Sequence, residues 1–199
     1  HVADNMLDEQ AIRRRKNEPV DDIPKGEFLM VSVGSLIPRK GFERLIHICG
    51  LLKSRGYRFH LLILGKGELY EQLAEQVIDE HLLDNVQLLG FRDNPYPYMA
   101  AADLYVCPSY VEGFSTVVSE AVVLETPVVT TDCSGMREIL GDSEYGLITR
   151  NTEESLFEGL RTMLDKPEVY QYYQQRVRER APFFYMEERL KAYEEILDQ

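Results

Sequence analysis

The sequence predicts an α/β fold, a doubly wound parallel sheet of about six strands with helices on both faces and a helical tail at the carboxyl end. Two observations carry this reading. Short apolar, β-branched runs alternate with segments of helical period from residue 28 to residue 149. Strand, helix, strand in repetition is the pattern of parallel units covered on both faces. Beyond Asn151 the strand-like runs stop and only helical period remains. In such a sheet, ligands bind outside the carboxyl ends of the strands.

Residues 1–26 read as a linker and entry helix. Asn5-Met6-Leu7-Asp8 leads into a short polar helix, and a polar loop from Pro19 to Gly26 delivers the chain to the first strand. Strands are expected at 28–33, 59–64, 86–89, 104–107, 128–131 and 146–149. Helices are expected between them at 42–53, 68–80, 96–102, 115–124 and 136–140. Tail helices follow at 153–164, 168–180 and 186–197, with Pro167 beginning one of them and Pro182 ending another, the usual places for proline at helix boundaries. Residues 27–182 thus form one domain, and 183–199 a final helix preceded by the apolar run Phe183-Phe184-Tyr185-Met186.

Composition narrows the function. A chain of 199 residues, 44% hydrophobic, can bury one full core. A net charge of −12 argues against nucleic acid, whose binding rests on Lys and Arg neutralising phosphates, and against broad adhesion to anionic lipid. The densest basic patch, Arg13-Arg14-Arg15-Lys16, reads as the solvated face of a short helix. Three cysteines, Cys49, Cys107 and Cys133, are an odd number without paired spacing, which suggests buried thiols in a reducing compartment, hence a cytoplasmic location. No apolar run approaches the roughly 20 residues needed to span a bilayer.

The most informative stretch is Glu112-Gly113-Phe114-Ser115-Thr116-Val117-Val118-Ser119-Glu120. It follows the fourth strand run and precedes the fifth. A helix starting near Ser115 turns its free N–H groups and positive dipole end toward the loop, which makes an anion site. Glu112 falls before that helix and Glu120 within it. After the first strand comes Gly34-Ser35-Leu36-Ile37-Pro38-Arg39-Lys40-Gly41. This is not a nucleoside-triphosphatase loop: Arg39 stands where that pattern needs Gly, and Gly41 where it needs Ser or Thr. The second strand ends in Gly65-Lys66-Gly67, a tight turn without the third glycine of a dinucleotide fingerprint. The third leads to Gly90-Phe91-Arg92-Asp93, where Arg92 either stacks on a base or is solvated. The four histidines are scattered, and neither Cys-x-x-Cys nor Asp-x-Asp occurs, so no metal is expected.

The stretch from Glu112 to Glu120 resembles the signature of the retaining glycosyltransferases of group 1 (family 4), which have the GT-B architecture. The resemblance runs in order along almost the whole chain and corresponds to the carboxyl-terminal, Rossmann-like, donor-binding half of such an enzyme. It implies that Glu112 contacts the hydroxyls of the transferred sugar. Backbone N–H groups after Phe114, near Ser115, Thr116 and Val117, would hold the distal phosphate, and Glu120 both ribose hydroxyls; Gly113 and Phe114 belong to the same donor-binding stretch. Lys40 matches the lysine that neutralises the departing diphosphate. Ser35 stands where a second cation, an arginine, is usual, and Arg39 is a candidate replacement. Gly34, Gly65 and Phe91 would border the nucleotide, and Ser134, Gly135 and Glu138 match a small-residue loop near the sugar. Glu112 and Lys40 are the implied catalytic residues, with no cofactor beyond the nucleotide-diphosphate sugar that is the substrate.

The resemblance further implies an acceptor of glycan or lipid-linked saccharide type, a role in polysaccharide biosynthesis, and an amino-terminal acceptor domain outside these residues to which 183–199 would cross back. Peripheral attachment of the full enzyme to the cytoplasmic membrane face would run through that domain. Two alternatives stand beside it. One is a sugar-nucleotide epimerase of the same architecture, which needs no acceptor. The other is a catalytically silent nucleotide-sugar-binding module, hinted at by Ser35.

Overall fold

The chain forms six parallel strands in the order β3-β2-β1-β4-β5-β6, in a computed structural model that describes residues 7–185. They are β1 (Phe28–Val33), β2 (Phe59–Leu64), β3 (Val86–Gly90), β4 (Leu104–Cys107), β5 (Val128–Thr131) and β6 (Leu147–Thr149). Each lies within one residue of its expected bounds. The strands carry apolar residues at successive positions because both faces of the sheet are covered. Their side chains divide by alternation. Leu29, Val31, Leu62, Leu64, Tyr105, Cys107 and Val128 face one core; Met30, Leu61, Ile63, Leu104, Val106 and Val129 face the other.

The first core is covered by α1 (Glu9–Arg15), α4 (Tyr96–Ala101), α5 (Thr116–Val123) and α6 (Met136–Leu140). The second is covered by α2 (Phe42–Ser54), α3 (Tyr70–Asp79) and α7 (Glu153–Asp165). Helix α8 (Pro167–Arg180) joins the layers: Tyr173 is buried in the second core and Val177 in the first. Its α-helical part ends at Arg180, as expected. A 3-10 turn, Ala181–Phe184, continues it and packs on α5, with Phe184 buried and Phe183 exposed. The expected boundary at residue 183 falls inside this turn. The expected helix at 186–197 and the entry residues Asn5 and Met6 lie outside the described residues.

The basic patch is not a merely solvated face. Asp8 caps α1 by accepting from the Ala11 N–H at 2.8 Å, and the helix then docks by its arginines. Arg15 pairs with Asp93 at 2.8 Å and lies 5.8 Å from the centroid of the Tyr96 ring; Arg13 lies 5.2 Å from that of Tyr185. Planar guanidinium groups settle on aromatic faces while remaining partly wet. No helix among the described residues is long and apolar enough to cross a membrane.

The strand order reverses at β1, between β2 on one side and β4 on the other. That switch point brings the loops after β1 and β4 together at the carboxyl edge. Gly41 permits the contact: its φ is +68°, and a Cβ there would collide with the Pro108 carbonyl. Gly65 does the same for the neighbouring loop, where a Cβ would run into the Gly34 carbonyl.

Candidate functional site

After β1 the chain makes a 3-10 turn, Pro38–Lys40, opened by the fixed φ of Pro38 and closed by Gly41 in the left-handed region. After β4 it runs through Pro108 and Ser109 to Glu112. The turn aims Lys40 inward, where it forms an ion pair with Glu112. The Ser109 hydroxyl donates to the same carboxylate oxygen at 2.7 Å. The Glu112 side chain is 7% exposed and that of Lys40 18%, so the pair sits at the bottom of a narrow pit. Ser32, Tyr105, Ser115 and Val117 are among the other residues that line it.

Beside the pit lies a wider cleft of about 310 Å³. Helix α5 separates the two by its first turn, and Val117 lines both. Ser115 caps that helix by accepting from the Val118 N–H at 3.4 Å. The N–H groups of Thr116 and Val117 have no hydrogen-bond partner among the described residues. These free donors at a helix start make the junction of pit and cleft electropositive. One turn further on, Glu120 reaches the cleft, where Tyr96 donates its hydroxyl to Oε1 at 3.1 Å. Burial pushes the Glu120 carboxyl above the usual range, against the pull of the Tyr96 hydrogen bond. Burial and the neighbouring Glu120 charge push the Tyr96 phenol up to about 12. The phenol therefore holds its proton and serves as the donor.

Of the residues singled out in the sequence, Gly34, Ser35, Gly65, Phe91, Val117 and Glu120 line the cleft. Lys40, Glu112, Ser115 and Val117 line the pit. Arg39, Gly113, Phe114 and Thr116 line neither. Arg39 is exposed because side chains in a 3-10 turn diverge by about a third of a turn, so directing Lys40 inward sends Arg39 out. Its backbone matters instead, accepting from the Tyr110 N–H at 2.8 Å. Gly113 and Phe114 are exposed at the rim, and Gly135 supports them from below, where a Cβ would come within 2.8 Å of the Gly113 carbonyl. Ser134 and Glu138 are exposed. Arg92 lines the cleft and is bonded to Asp22 at 3.0 Å and to the Tyr98 hydroxyl at 3.2 Å.

Sequence reasoning missed Tyr96, Ser109, Lys66 and Arg44. Lys66 lies at the cleft mouth, its amine 4.9 Å from the centroid of the Phe91 ring. Arg44 was legible: it shares the buried stripe of α2 with Ile48 and Leu52, at the spacing of one helical face. A charge on that stripe signals a buried polar network. Ser109 and Tyr96 carry no such mark. Cys49 and Cys107 are buried, whereas Cys133 is half-buried, and all three thiols are free. Among the described residues no cluster of three or more His, Cys, Asp or Glu is placed to hold a metal ion.

The family described as "Glycosyl transferases group 1" matches residues 13–180. A relative from Campylobacter jejuni, an N-acetylgalactosamine-N,N'-diacetylbacillosaminyl-diphospho-undecaprenol 4-alpha-N-acetylgalactosaminyltransferase, is 37% identical over 167 residues, covering 83% of this chain and 45% of its own length. The capsular polysaccharide biosynthesis glycosyltransferase CapM of Staphylococcus aureus is 27% identical over 81% of this chain and 41% of its own. The chain thus spans less than half the length of either. Two solved structures share the fold. TarM of S. aureus has a TM-score of 0.74 at 21% identity, covering 91% of this chain and 38% of that one. HepE of Anabaena, in complex with UDP, has a TM-score of 0.73 at 22% identity, covering 87% and 49%. With the family's match spanning the sheet, both loops of the site and α8, this chain belongs to the group 1 glycosyltransferases.

Proposed function

We propose that these residues form the donor-binding half of a retaining glycosyltransferase that moves a sugar from a nucleotide-diphosphate sugar to an acceptor. One observation supports this reading: the Glu120 carboxylate in the cleft, the free N–H groups at the start of α5 and the mostly buried Lys40–Glu112 pair in the adjoining pit are brought together at the switch point of the sheet. A nucleoside diphosphate sugar presents matching chemistry. Glu120 accepts from the ribose hydroxyls, which suits a two-oxygen carboxylate. The N–H groups of Thr116 and Val117 receive the distal phosphate. Glu112 accepts from sugar hydroxyls, and Lys40 stabilises the charge that grows on the departing diphosphate as the anomeric carbon becomes oxocarbenium-like. Helix dipole and ammonium together supply the electrostatic work without a metal. The base lies toward Phe91 and Lys66.

The UDP bound to HepE makes uridine nucleotides the first donors to examine. The C. jejuni relative's name includes a diphospho-undecaprenol, which supports a lipid-linked saccharide as acceptor class. Less than half of each relative is covered, and we place the acceptor site, and any peripheral attachment to a membrane, in the remainder of the polypeptide. The test is a thermal-shift series with uridine, guanosine and adenosine diphosphates and their sugars. A ligand at 100 times its dissociation constant adds about 2.7 kcal/mol to stability. No shift with any of them at millimolar concentration would remove the nucleotide reading.

A further inference from the structure

Arg44 has no part in holding the nucleotide as proposed, yet it is one of the most buried charges in the protein, at 3% exposure. Its Nε donates to the Pro108 carbonyl at 2.7 Å. Its Nη2 donates to the Ser109 carbonyl at 2.7 Å and to Asn151 Oδ1 at 2.9 Å. The guanidinium lies 3.8 Å from the centroid of the Tyr110 ring. Its Nη1 is buried with no partner among the described residues. None of the hydrogen bonds it makes there goes to a carboxylate. Packing alone is served as well by an apolar side chain in such a place, since a buried charge carries a heavy desolvation penalty.

What the cation does here is gather carbonyls. Asn151, held by Arg44, donates its own Nδ2 to the Tyr110 carbonyl at 2.7 Å. Three consecutive carbonyls, those of Pro108, Ser109 and Tyr110, are thus captured by one arginine–asparagine couple. The Ser109 carbonyl also accepts from Thr131 Oγ1 at 2.5 Å and from Cys133 Sγ at 3.2 Å. This segment carries the Ser109 hydroxyl and leads directly to Glu112. Arg44 itself stands on α2, whose first turn follows Lys40 and Gly41. The couple therefore joins the element that carries Lys40 to the loop that carries Glu112.

We propose that Arg44, oriented by Asn151, is a positioning residue that sets the spacing between Lys40 and Glu112. The geometry stands without the nucleotide reading, and only its consequence for ligand affinity rests on that reading. The test is therefore made first without ligand. The protein is treated with limiting acetic anhydride, and the acetylation of each lysine is followed by peptide mass spectrometry. Lys40, engaged by Glu112, reacts more slowly than exposed Lys66. In R44K and in N151A the Lys40 rate rises about fivefold, the change expected when one hydrogen bond's worth of restraint is lost. The rates at Lys66 and the other lysines stay as they were. E112Q sets the upper limit of the effect.

An unchanged Lys40 rate in folded R44K and N151A overturns the proposal. A rise at all lysines together also overturns it, because that shows general loosening. Should R44K fail to fold, N151A carries the same readout, since Asn151 lies only partly buried at the edge of the network. A second arm titrates UDP and UMP. R44K loses affinity for UDP more than for UMP, because its effect is confined to the end of the site that holds the second phosphate. A Lys40-specific rise in a protein that binds neither nucleotide supports the positioning role and removes the nucleotide reading.

Discussion

Lys40 and Glu112, 72 residues apart in sequence, form an ion pair whose carboxylate oxygen also accepts the Ser109 hydroxyl. The group proposed to neutralise the leaving diphosphate and the group proposed to hold the sugar are each other's partner while the site is free. A donor that enters must exchange this pair for its own phosphate and hydroxyls. The pair thereby keeps both charges satisfied in a place where either alone is costly.

The first prediction follows from that cost. Removing Lys40 leaves a mostly buried carboxylate with a serine hydroxyl as its remaining partner. Lys40→Ala should therefore destabilise the unliganded protein by about 3 kcal/mol, the lower end for breaking a buried pair because the lysine keeps some contact with solvent. Adding Glu112→Gln should recover more than half of the loss, since the charge left unpaired is then gone. Urea denaturation of the two single variants and the double variant measures this. Losses that simply add would mean the two groups do not support each other.

Lys40 and Arg39 are adjacent in sequence but face opposite ways, and this separates their roles. Lys40→Ala should reduce UDP affinity by about 1.5–3 kcal/mol, the range for a charge-assisted hydrogen bond. Arg39→Ala should change it by less than about 0.5 kcal/mol, as expected of a surface substitution. In the full enzyme, Lys40→Ala should lower turnover more than it raises the donor's Michaelis constant, because the charge it meets grows in the transition state. Isothermal titration of both variants decides the first part. A larger loss in Arg39→Ala would mean that Arg39 swings in to replace the arginine absent at Ser35.

Most of the fold was legible because strand and helix periods differ, and the buried parallel strands read as apolar runs at almost every position. The loops after β1 and β4 that meet at the candidate site were legible because glycine and proline mark turns and because the two glutamates flank a helix start. What remained hidden depended on direction and long-range pairing. The resemblance singles out Lys40 over Arg39, whereas residue type and spacing alone do not; the structure pairs Lys40 with Glu112 in a turn closed by the left-handed Gly41. Arg92 looked like a surface cation because its partner, Asp22, lies 70 residues away in a polar loop. Phe183 and Phe184 read alike as one apolar run, but the 3-10 turn directs Phe184 into the core while Phe183 faces out. Tyr96 hid in α4, whose other aromatic, Tyr98, is buried and bonded to Asp22.

Magnesium should be dispensable in the complete enzyme. The proposed catalysts at the diphosphate end are the Lys40 ammonium and the α5 N-terminus, which need no bridging ion. Sugar transfer measured in excess EDTA should match the untreated rate within about twofold, a difference of roughly 0.4 kcal/mol in barrier. Loss of activity restored by magnesium or manganese would show that a divalent ion shares the diphosphate with Lys40.

The last prediction concerns what Glu120 costs the fold. Its carboxyl is raised above the usual 4.5 chiefly by burial, so the folded state holds that proton more tightly than the unfolded chain. Stability must then fall as pH rises through this group's titration. The penalty is absent below the ordinary carboxylate pKa and fully present above the raised one. Glu120→Gln removes the charge and keeps an oxygen to accept the Tyr96 hydroxyl. It should therefore melt at a higher temperature than the parent near pH 7.5, with the gap closing as pH falls toward 4.5 and below. The same variant should bind UDP more weakly, because a neutral amide accepts the ribose hydroxyls less well than a carboxylate, and Glu120→Ala should lose about 1.5–3 kcal/mol of affinity. A group that lowers stability and raises affinity is held in place by its function. Melting curves of parent and Glu120→Gln from pH 4 to pH 8, with UDP titrations at pH 7.5, make the comparison. A variant that is less stable than the parent by the same margin at every pH, with unaltered UDP affinity, would show that Glu120 is a structural hydrogen-bonding partner of Tyr96 and no part of the ligand site.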